Sequence, residues 1–537
     1  MNIFFIGVII SMVVYLVVGL YAGRRVKDIN DYYVSGRNAP TLLISGTLFA
    51  SMLSVNGFMG DQGFCYTGNI TSLVLLNSMC AAGYVFGPIL FGRYLRRSEC
   101  TTMPEYFGTR FHDFRNRRIA GIITIISLTV YLLASITGVG ILMQELTGLP
   151  YGVCLFLAWL CFTAFTFYSG SKGVVVTDTL MFLVFLLAAV IAGPYIFNAQ
   201  GGFSELFHNL MNNPNIPEGL LDYHGNIAGC GASDVFGAVM YAVSMGLIWF
   251  ITVAVSPWQA GRNLMAKSEH VTFRSGAIAA ICTTVFLLFL NLQSIAVLNL
   301  NSALEDPQRV LIWAAFNVMP KLVGTVLLAG IMAAGLSSAS TFLSVIGFSI
   351  TTDIFPRTFK SEKEQLNVSR LTMLVVGIIA LILAYLGLGG VRVISWLAST
   401  IIAASWAVSG IGSVLSRKLS ATGARWSMIG GFLGFIITKC LSGFGIAPFH
   451  TIFINFLDPF FVGLYVSVLF AVLGSIRHPI SEQESAYRER LLVLPEEEKV
   501  IGDYRRDRLY GYLLVAAGVV TSAFLLLGWA LPYNGLL

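Results

Sequence analysis

Charged residues are scarce in this chain, because Asp, Glu, Lys and Arg make up only 11% of its 537 residues. A soluble domain carries about a quarter charged residues. Signals of catalysis are also missing: His occurs six times, and no HExxH motif or GxSxG motif in a suitable context is present. Hydrophobic residues reach 56%. The composition therefore excludes a soluble globular protein, argues against an enzyme, and indicates a polytopic membrane protein.

Cysteine is also scarce in this sequence. The eight cysteines are scattered singly through or beside apolar segments, and no CxxC pair occurs. Metal and redox sites need clustered thiols, so this spacing predicts none. We interpret the cysteines as small packing residues.

Long apolar runs dominate what is present. We count fourteen that approach or exceed the roughly 20 residues needed to cross the hydrocarbon layer as a helix. The first is followed, not preceded, by basic residues, which predicts a retained helix and not a cleaved signal peptide. The sequence thus predicts an all-α membrane protein with about fourteen transmembrane helices.

The net charge of +6 is explained by topology. If the N-terminus lies outside, 29 of the 33 Lys and Arg residues fall in cytoplasmic segments, and the exceptions are Arg309, Lys321, Arg392 and Lys439. The opposite orientation inverts this ratio, so the positive-inside rule predicts that both termini lie outside the cytoplasm. A nucleic-acid partner is not expected. The lipid bilayer is the expected surrounding.

A face of hydroxyl groups is the most informative local feature. Within an apolar helix spanning 327–350, five hydroxyls fall within about 160° of arc at 100° per residue, and Ala334 shares that face. They belong to Ser337, Ser338, Ser340, Thr341 and Ser344. Hydroxyls gain nothing from lipid, so this face should point inward. Clustered neutral oxygens suit a small dehydrated cation.

Two spans are interrupted in their interior. The second, near 43–62, contains Asn56, Gly57 and Gly60, and the seventh, near 236–261, contains Pro257 and Gly261. An offset of five helices reverses membrane orientation, so the two units would form an inverted repeat. Paired broken helices in two inverted halves point to a transport site.

These segments resemble the sodium/solute symporter family, which includes sodium-coupled glucose, proline, sialic acid and pantothenate transporters. The resemblance covers nearly the whole chain. The matching pieces are Asp31–Arg37, Ala50–Phe58, Gly173–Asp178, and Ala334–Thr341 continuing to Phe355. It implies a leucine-transporter-type fold, a five-plus-five inverted repeat, in a single transporter domain over 1–537. The leading helix and loop would occupy 1–40, the repeat core 41–416, and three additional helices 417–537.

The resemblance also implies where sodium binds. The main site would use the backbone carbonyls of Ala50, Leu53 and Ala334 together with the hydroxyls of Ser337 and Ser338. A hard cation prefers oxygen ligands, and a broken helix frees carbonyls at membrane depth. Na⁺ is therefore the expected coupling ion.

Asp178 is the clearest acidic residue within a predicted core span, and intramembrane carboxylates are functional by default. In family members with a second sodium site, an aspartate here joins hydroxyls matching Ser340 and Thr341. There are two alternatives: Asp178 carries a proton, or it is an acid at a helix end that reaches cytoplasmic water.

The solute is expected outward of the sodium ion, between the broken helices and the eleventh span. Aromatic walls with few polar groups are usual for a small-solute pocket. The candidate residues are Asn56, Gly57, Phe58, Gln62, Asn77, Trp249, Thr252, Trp258, Trp396, Ser405 and Trp406. The sugar-transporting branch has Asn and Tyr where Trp249 and Thr252 stand. No Lys or Arg is evident at mid-depth to pair with an anion.

The sequence thus predicts a sodium-coupled symporter in the cell membrane that imports a small organic solute by alternating access. A carboxylate, an amino acid or a vitamin fits better than a sugar. Two alternatives remain: a proton-coupled carrier of the same fold, and a membrane sensor that keeps the transporter fold.

Overall fold

The computed structural model describes residues 3–24, 29–216, 221, 235–355, 359–446 and 456–533. Within these residues the chain is helical and forms no β-strand. We number the principal helices α1 Ile3–Gly23, α2 Thr41–Met52, α3 Asp61–Tyr66, α4 Ile70–Phe86, α5 Phe114–Thr147, α6 Tyr151–Ala199, α7 Val235–Val255, α8 Glu269–Leu300, α9 Lys321–Phe348, α10 Glu362–Tyr385, α11 Val391–Leu415, α12 Ala421–Gly443, α13 Pro459–Arg477 and α14 Ile501–Leu525.

The apolar runs of the sequence fall on these helices. Twelve described helices are long and apolar enough to cross a membrane, and α2 with the following broken segment makes a thirteenth. The run predicted at 150–169 is the first part of α6, where the apolar helix Tyr151–Ala164 is shorter. The helix bends at Gly170, whose φ of +53° is a conformation that glycine adopts readily. The chain is thus a multi-pass membrane protein.

Local chemistry sets where the helices begin and end. Asp113, Ser268 and Ser420 cap α5, α8 and α12 by accepting hydrogen bonds from the first free backbone N–H groups. Helix α5 ends at Gly148, which adopts a left-handed φ of +68°. Polar caps therefore mark the ends of apolar spans.

Helix α9 lies at the centre of the bundle, since 83% of the residues in an 18-residue apolar stretch of its span are buried inside the protein. It packs on α6, α5 and α1. A Cβ added at Gly335 would lie 2.3 Å from Val139 of α5, so the close approach requires glycine. By contrast α14 is almost wholly peripheral. The hydroxyl face of the sequence is therefore enclosed on all sides.

The long hydrophilic stretches are partly described. The one at 199–233 contains a short helix, Leu206–Asn212, and most of its remainder lies outside the described residues. The one at 477–508 forms the helix Glu482–Leu492 before α14 begins. The Arg97 side chain, in the short helix Arg93–Ser98, bonds Glu269 of α8 and the Leu491 carbonyl. Arg274 of α8 forms ion pairs with Asp503 and Asp507, so this second stretch is tied to the core.

Candidate functional site

Both helix interruptions expected from the sequence are present. Helix α2 ends at Met52, Leu53 leaves helical geometry with ψ of 69°, and the chain turns by 56° before α3. The connecting Asn56–Gly60 segment is a π-turn. Helix α7 ends at Val255, and Ala260–Met265 continues as a 3-10 turn. Both breaks lie at buried positions, Leu53 and Ser54 in the first span and Pro257 in the second.

The first break changes the hydrogen bonds of two carbonyls. In a continuous α-helix the Ser54 and Gly57 N–H groups would donate to Ala50 and Leu53. Here Ser54 N–H donates to the Met52 carbonyl, and Gly57 N–H donates to Ser54. Ala50 and Leu53 thus lose their usual helical donors. Such carbonyls are suitable ligands for a cation.

Ser337 bridges the broken helix and α9. Its hydroxyl lies 3.0 Å from the Ala50 carbonyl and 3.2 Å from the Ala334 carbonyl. Three of the five ligands expected for sodium therefore meet at one point. The Ser338 hydroxyl is fully buried and has no hydrogen-bond partner. An unsatisfied buried hydroxyl on the residue next to Ser337 fits a cation site, because a bound ion would satisfy it.

Asp178 lies nearby in α6 and is completely buried. Its Oδ2 accepts hydrogen bonds from Thr47 of α2 at 2.7 Å and from Thr341 of α9 at 3.3 Å. The alternative that this carboxylate reaches cytoplasmic water is therefore wrong. Ser340, the other hydroxyl expected here, donates to the Ser337 carbonyl of its own helix at 2.9 Å.

Arg262 is the residue that the sequence analysis missed. It follows the break after α7, it is buried, and its guanidinium lies 3.5 Å from Asp178 Oδ2 and bonds the Thr341 hydroxyl. The expectation that no buried Lys or Arg is available to pair with an anion is wrong at this position. A completely buried carboxylate requires a positive partner. An aspartate within a predicted span was therefore the feature of the sequence that could have indicated a buried Lys or Arg beside it.

A third set of contacts joins the two breaks. The Gln259 amide contacts the hydroxyls of Ser51 and Tyr84 at 3.1 Å each. Tyr84 OH also donates to the Leu48 carbonyl. The break after α7 is thereby fixed to the inner half of the broken helix that carries Ala50. A shift of one break would move the other.

The solute candidates divide into groups. Asn56, Trp249, Thr252 and Trp396 lie where α7 and α11 meet the broken helix: Trp249 packs edge-on against Trp396, and Thr252 bonds the Ser399 carbonyl. Gly57 lies in the same π-turn, and a Cβ there would meet Leu53 at 3.0 Å.

The other candidates point elsewhere. Phe58, Gln62 and Asn77 face α8: Phe58 packs on Phe286, Gln62 bonds Asn291 and Ser294, and Asn77 lines a small cavity with Asn291. Trp258 packs on Tyr131 and Phe342. Ser405 donates to the Ile401 carbonyl of its own helix. Trp406 contacts Phe107 of the short helix Met103–Arg110.

Comparison with known proteins places this architecture in a family. The model of the sodium:solute symporter family matches residues 32–431. The osmoregulated proline transporter OpuE of Bacillus subtilis (strain 168) is 25% identical over 71% of this chain and 78% of its own length. The sodium/proline symporter of Escherichia coli (strain K12) is 24% identical over 86% and 91%.

A solved structure shares the fold. A Na⁺-coupled sialic acid symporter in a substrate-bound outward-open state aligns with a TM-score of 0.74 and 19% identity, covering 90% of this chain and 99% of that one. The fold is therefore of the leucine-transporter type. The chain belongs to the sodium:solute symporter family, and it is a membrane transporter, not an enzyme, that couples Na⁺ to the movement of a small solute.

Proposed function

We propose that this protein imports a small carboxylate-bearing solute into the cell together with sodium, by alternating access. The observation that carries the proposal is the Ser337 hydroxyl, which joins the Ala50 carbonyl across the helix break. Sodium bound there would be held by Ala50, Leu53, Ala334, Ser337 and Ser338. Because these ligands carry no net charge, binding would remain weak enough for release.

Sodium binding would fix the bend between α2 and α3. Ser337 would turn its lone pairs toward the ion, and the carbonyls that lack helical donors would be satisfied. The fixed bend would then position the outer segment of the broken helix for the solute. Coupling of this kind requires sodium and solute to favour each other by about 1–3 kcal/mol.

The driving force is sufficient for accumulation. One positive charge that moves inward across 100 mV contributes about 2.3 kcal/mol, before any concentration gradient is added. Two relatives of this chain are named for proline transport. Trp249 and Thr252 differ from the sugar branch, so an amino acid, a short carboxylate or a vitamin is the proposed solute class.

Arg262 bears on the number of sodium ions. It contacts Asp178 and Thr341, two of the three residues expected to form a second sodium site. We propose that its guanidinium supplies the positive charge at this place, so that one sodium ion is carried in each cycle. A proton on Asp178 is the second candidate, because the carboxylate is completely buried.

The protein is proposed to lie in the cell membrane with both termini outside the cytoplasm. The excess of basic residues in the segments that would then face the cytoplasm supports this orientation.

Reconstituted full-length protein tests the proposed function. Proteoliposomes with an inward sodium gradient would be assayed with labelled amino acids, short carboxylates, vitamins and sugars. We expect accumulation of a carboxylate-bearing solute that stops when potassium replaces sodium. Accumulation driven by a pH gradient without sodium would instead establish the proton-coupled carrier, and accumulation of sugars alone would overturn the solute class.

A further inference from the structure

Two charged residues outside the proposed sodium site meet at the first turns of α3 and α11. Asp61 begins α3, and Arg392 is the second residue of α11. Asp61 Oδ1 lies 3.6 Å from Arg392 Nε, and the two side chains are 16% and 18% exposed. The guanidinium carbon lies 3.6 Å from the ring centre of Phe64 and 4.1 Å from that of Trp396. This ion pair therefore occupies an aromatic site and not a solvated surface.

Four buried polar atoms in this site form no hydrogen bond of normal length. Two are acceptors, Asp61 Oδ1 and Asn56 Oδ1, and two are donors, Arg392 Nε and Trp396 Nε1. The separation of 3.6 Å between Asp61 and Arg392 exceeds hydrogen-bond length. Unsatisfied buried groups are unfavourable. A site that gathers two such donors and two such acceptors is suited to a ligand with the complementary groups.

The remaining polar atoms of these side chains hold the site in shape. Asn56 Nδ2 donates to Asp61 Oδ2 at 2.9 Å, and Arg392 Nη2 donates to the Tyr241 hydroxyl at 3.0 Å. A Cβ at Gly60 would lie 2.3 Å from Asn56 Oδ1 and 2.9 Å from Arg392 Cβ. Glycine therefore allows the broken helix to approach α11 closely enough for the two charges to face each other.

We propose that this site recognises a zwitterionic α-amino or imino acid, with Arg392 and Trp396 binding its carboxylate and Asp61 and Asn56 binding its ammonium group. The two charges of such a solute are separated by one carbon atom, so the complementary charges must lie close together. In the absence of solute, Asp61 and Arg392 neutralise each other. The inference rests on the proposed function and narrows its solute class.

The same geometry rejects other solutes. A carboxylate without an ammonium group would bring its charge toward Asp61 and leave the acceptors unpaired. A sugar placed between Asp61 and Arg392 would interrupt their ion pair and give neither charge an ionic partner, which is costly in a buried site. Specificity would therefore come from penalties against incomplete ligands as well as from contacts with the complete one.

Ligand-dependent stability of the purified full-length protein tests the proposal. In saturating sodium, each of the twenty amino acids would be added, and the midpoint of thermal unfolding would be measured. The best stabiliser would then be compared with its methyl ester, which lacks the carboxylate, and its N-acetyl derivative, which lacks the ammonium group. We expect each derivative to bind at least roughly tenfold more weakly, since each loses charge-assisted hydrogen bonds.

Variants test which of the two protein charges binds the carboxylate of the solute and which binds its ammonium group. Arg392→Gln should lower amino-acid affinity and abolish the preference over the methyl ester, whereas Asp61→Asn should abolish the preference over the N-acetyl derivative. Arg392→Lys keeps the charge but loses the planar pair of donors, so its affinity should be intermediate. The matched control is Arg309→Gln, because Arg309 forms ion pairs with Glu145 and Asp306 on the same side of the protein but is 40% exposed.

A purely structural ion pair makes a different prediction. Neutralising both members with Asp61→Asn/Arg392→Gln would then restore stability and leave amino-acid selectivity unchanged. That result, or equal binding of the derivatives and the amino acid by the wild-type protein, or no stabilisation by any amino acid, overturns the proposal. Stabilisation by sodium alone is recorded separately, and its absence would overturn the proposed function, while amino-acid selectivity without sodium would still support this site.

Discussion

At the residue scale, the chemistry depends on side chains that contact two helices at once. The Ser337 hydroxyl contacts carbonyls on both sides of the α2–α9 interface, and Thr341 shares hydrogen bonds with Asp178 and Arg262. A hydroxyl can donate to a carbonyl when the site is empty and direct its lone pairs to a cation when the site is filled. The same residues can therefore be satisfied in both states.

The pairing of Asp178 with Arg262 gives the first prediction. Asp178→Asn and Arg262→Gln should each destabilise the protein by about 3–5 kcal/mol, because each leaves the other charge buried and unpaired. The double variant should be more stable than either single variant. Thermal unfolding of all four proteins, in a double-mutant cycle, measures the coupling.

Sodium-driven uptake by the same variants shows whether one or two sodium ions are carried in each cycle. If Arg262 supplies the charge at Asp178, the wild-type protein should show a Hill coefficient near one for sodium-driven uptake. A coefficient near two that falls toward one in Asp178→Asn would instead show that a second sodium ion binds there. Uptake driven by an inward pH gradient without sodium, and lost in Asp178→Asn, would show a proton.

At the scale of the elements, the sequence predicted the spans and both breaks. Proline marks the break after α7 because it lacks the N–H group of a regular helix, whereas the first break begins at Leu53, four residues before Gly57. The hydroxyl face of α9 was also predictable, since α9 is regular and keeps a rotation of 100° per residue.

Side-chain directions beyond the first break were less predictable. The π-turn Asn56–Gly60 changes the helical phase, so Phe58 and Gln62 turn toward α8 whereas Asn56 turns toward α11. Arg262 was counted among the basic residues of the predicted cytoplasmic segments, and Arg392 was counted as one of the four exceptions. Their burial depends on tertiary packing against Asp178 and Asp61, and nothing local in the sequence reports that packing.

The contact between α2 and α6 gives the second prediction. A Cβ at Gly46 would lie 2.7 Å from the Thr179 hydroxyl and 3.0 Å from its Cα. Gly46→Ala should therefore push the helices apart, destabilise the protein by about 1–3 kcal/mol, and weaken the Thr47–Asp178 hydrogen bond. The unfolding midpoint and the sodium concentration for half-maximal stabilisation are the measurements.

Gly511 of α14 provides the control for this substitution. Nothing lies within 4 Å of a Cβ added there, so Gly511→Ala should leave stability unchanged or raise it by up to about 1 kcal/mol. Equal effects of the two substitutions would contradict the close packing of α2 against α6.

At the scale of the whole molecule, the helix proposed to bind sodium is also among the most deeply buried. The central helix α9 carries most of the proposed sodium ligands, whereas α14 has no buried residue. The helix proposed to bind sodium is therefore held on every side, and the last described helix packs only at the periphery. Each interrupted helix is fixed to the core through polar contacts on both sides of its break.

Membrane orientation gives the third prediction. In a background with all eight native cysteines replaced by Ser, a cysteine introduced by Gln483→Cys in the helix Glu482–Leu492 should be protected from an impermeant thiol reagent in intact cells. One introduced by Leu388→Cys between α10 and α11 should be labelled. Both positions are exposed. The reverse labelling pattern would overturn the proposed orientation of the termini.

The central claim is that sodium binds between the broken helix and α9, and equilibrium binding of radioactive ²²Na⁺ to the purified protein tests it without knowledge of the solute. The wild-type protein should bind sodium saturably, and Ser337→Ala/Ser338→Ala should lose roughly tenfold or more in affinity, because two of five ligands are removed. Ser344→Ala is the matched control, since the Ser344 hydroxyl donates to the Ser340 carbonyl of its own helix, and it should bind like the wild type. A double variant that is folded and binds sodium with unchanged affinity would contradict the account.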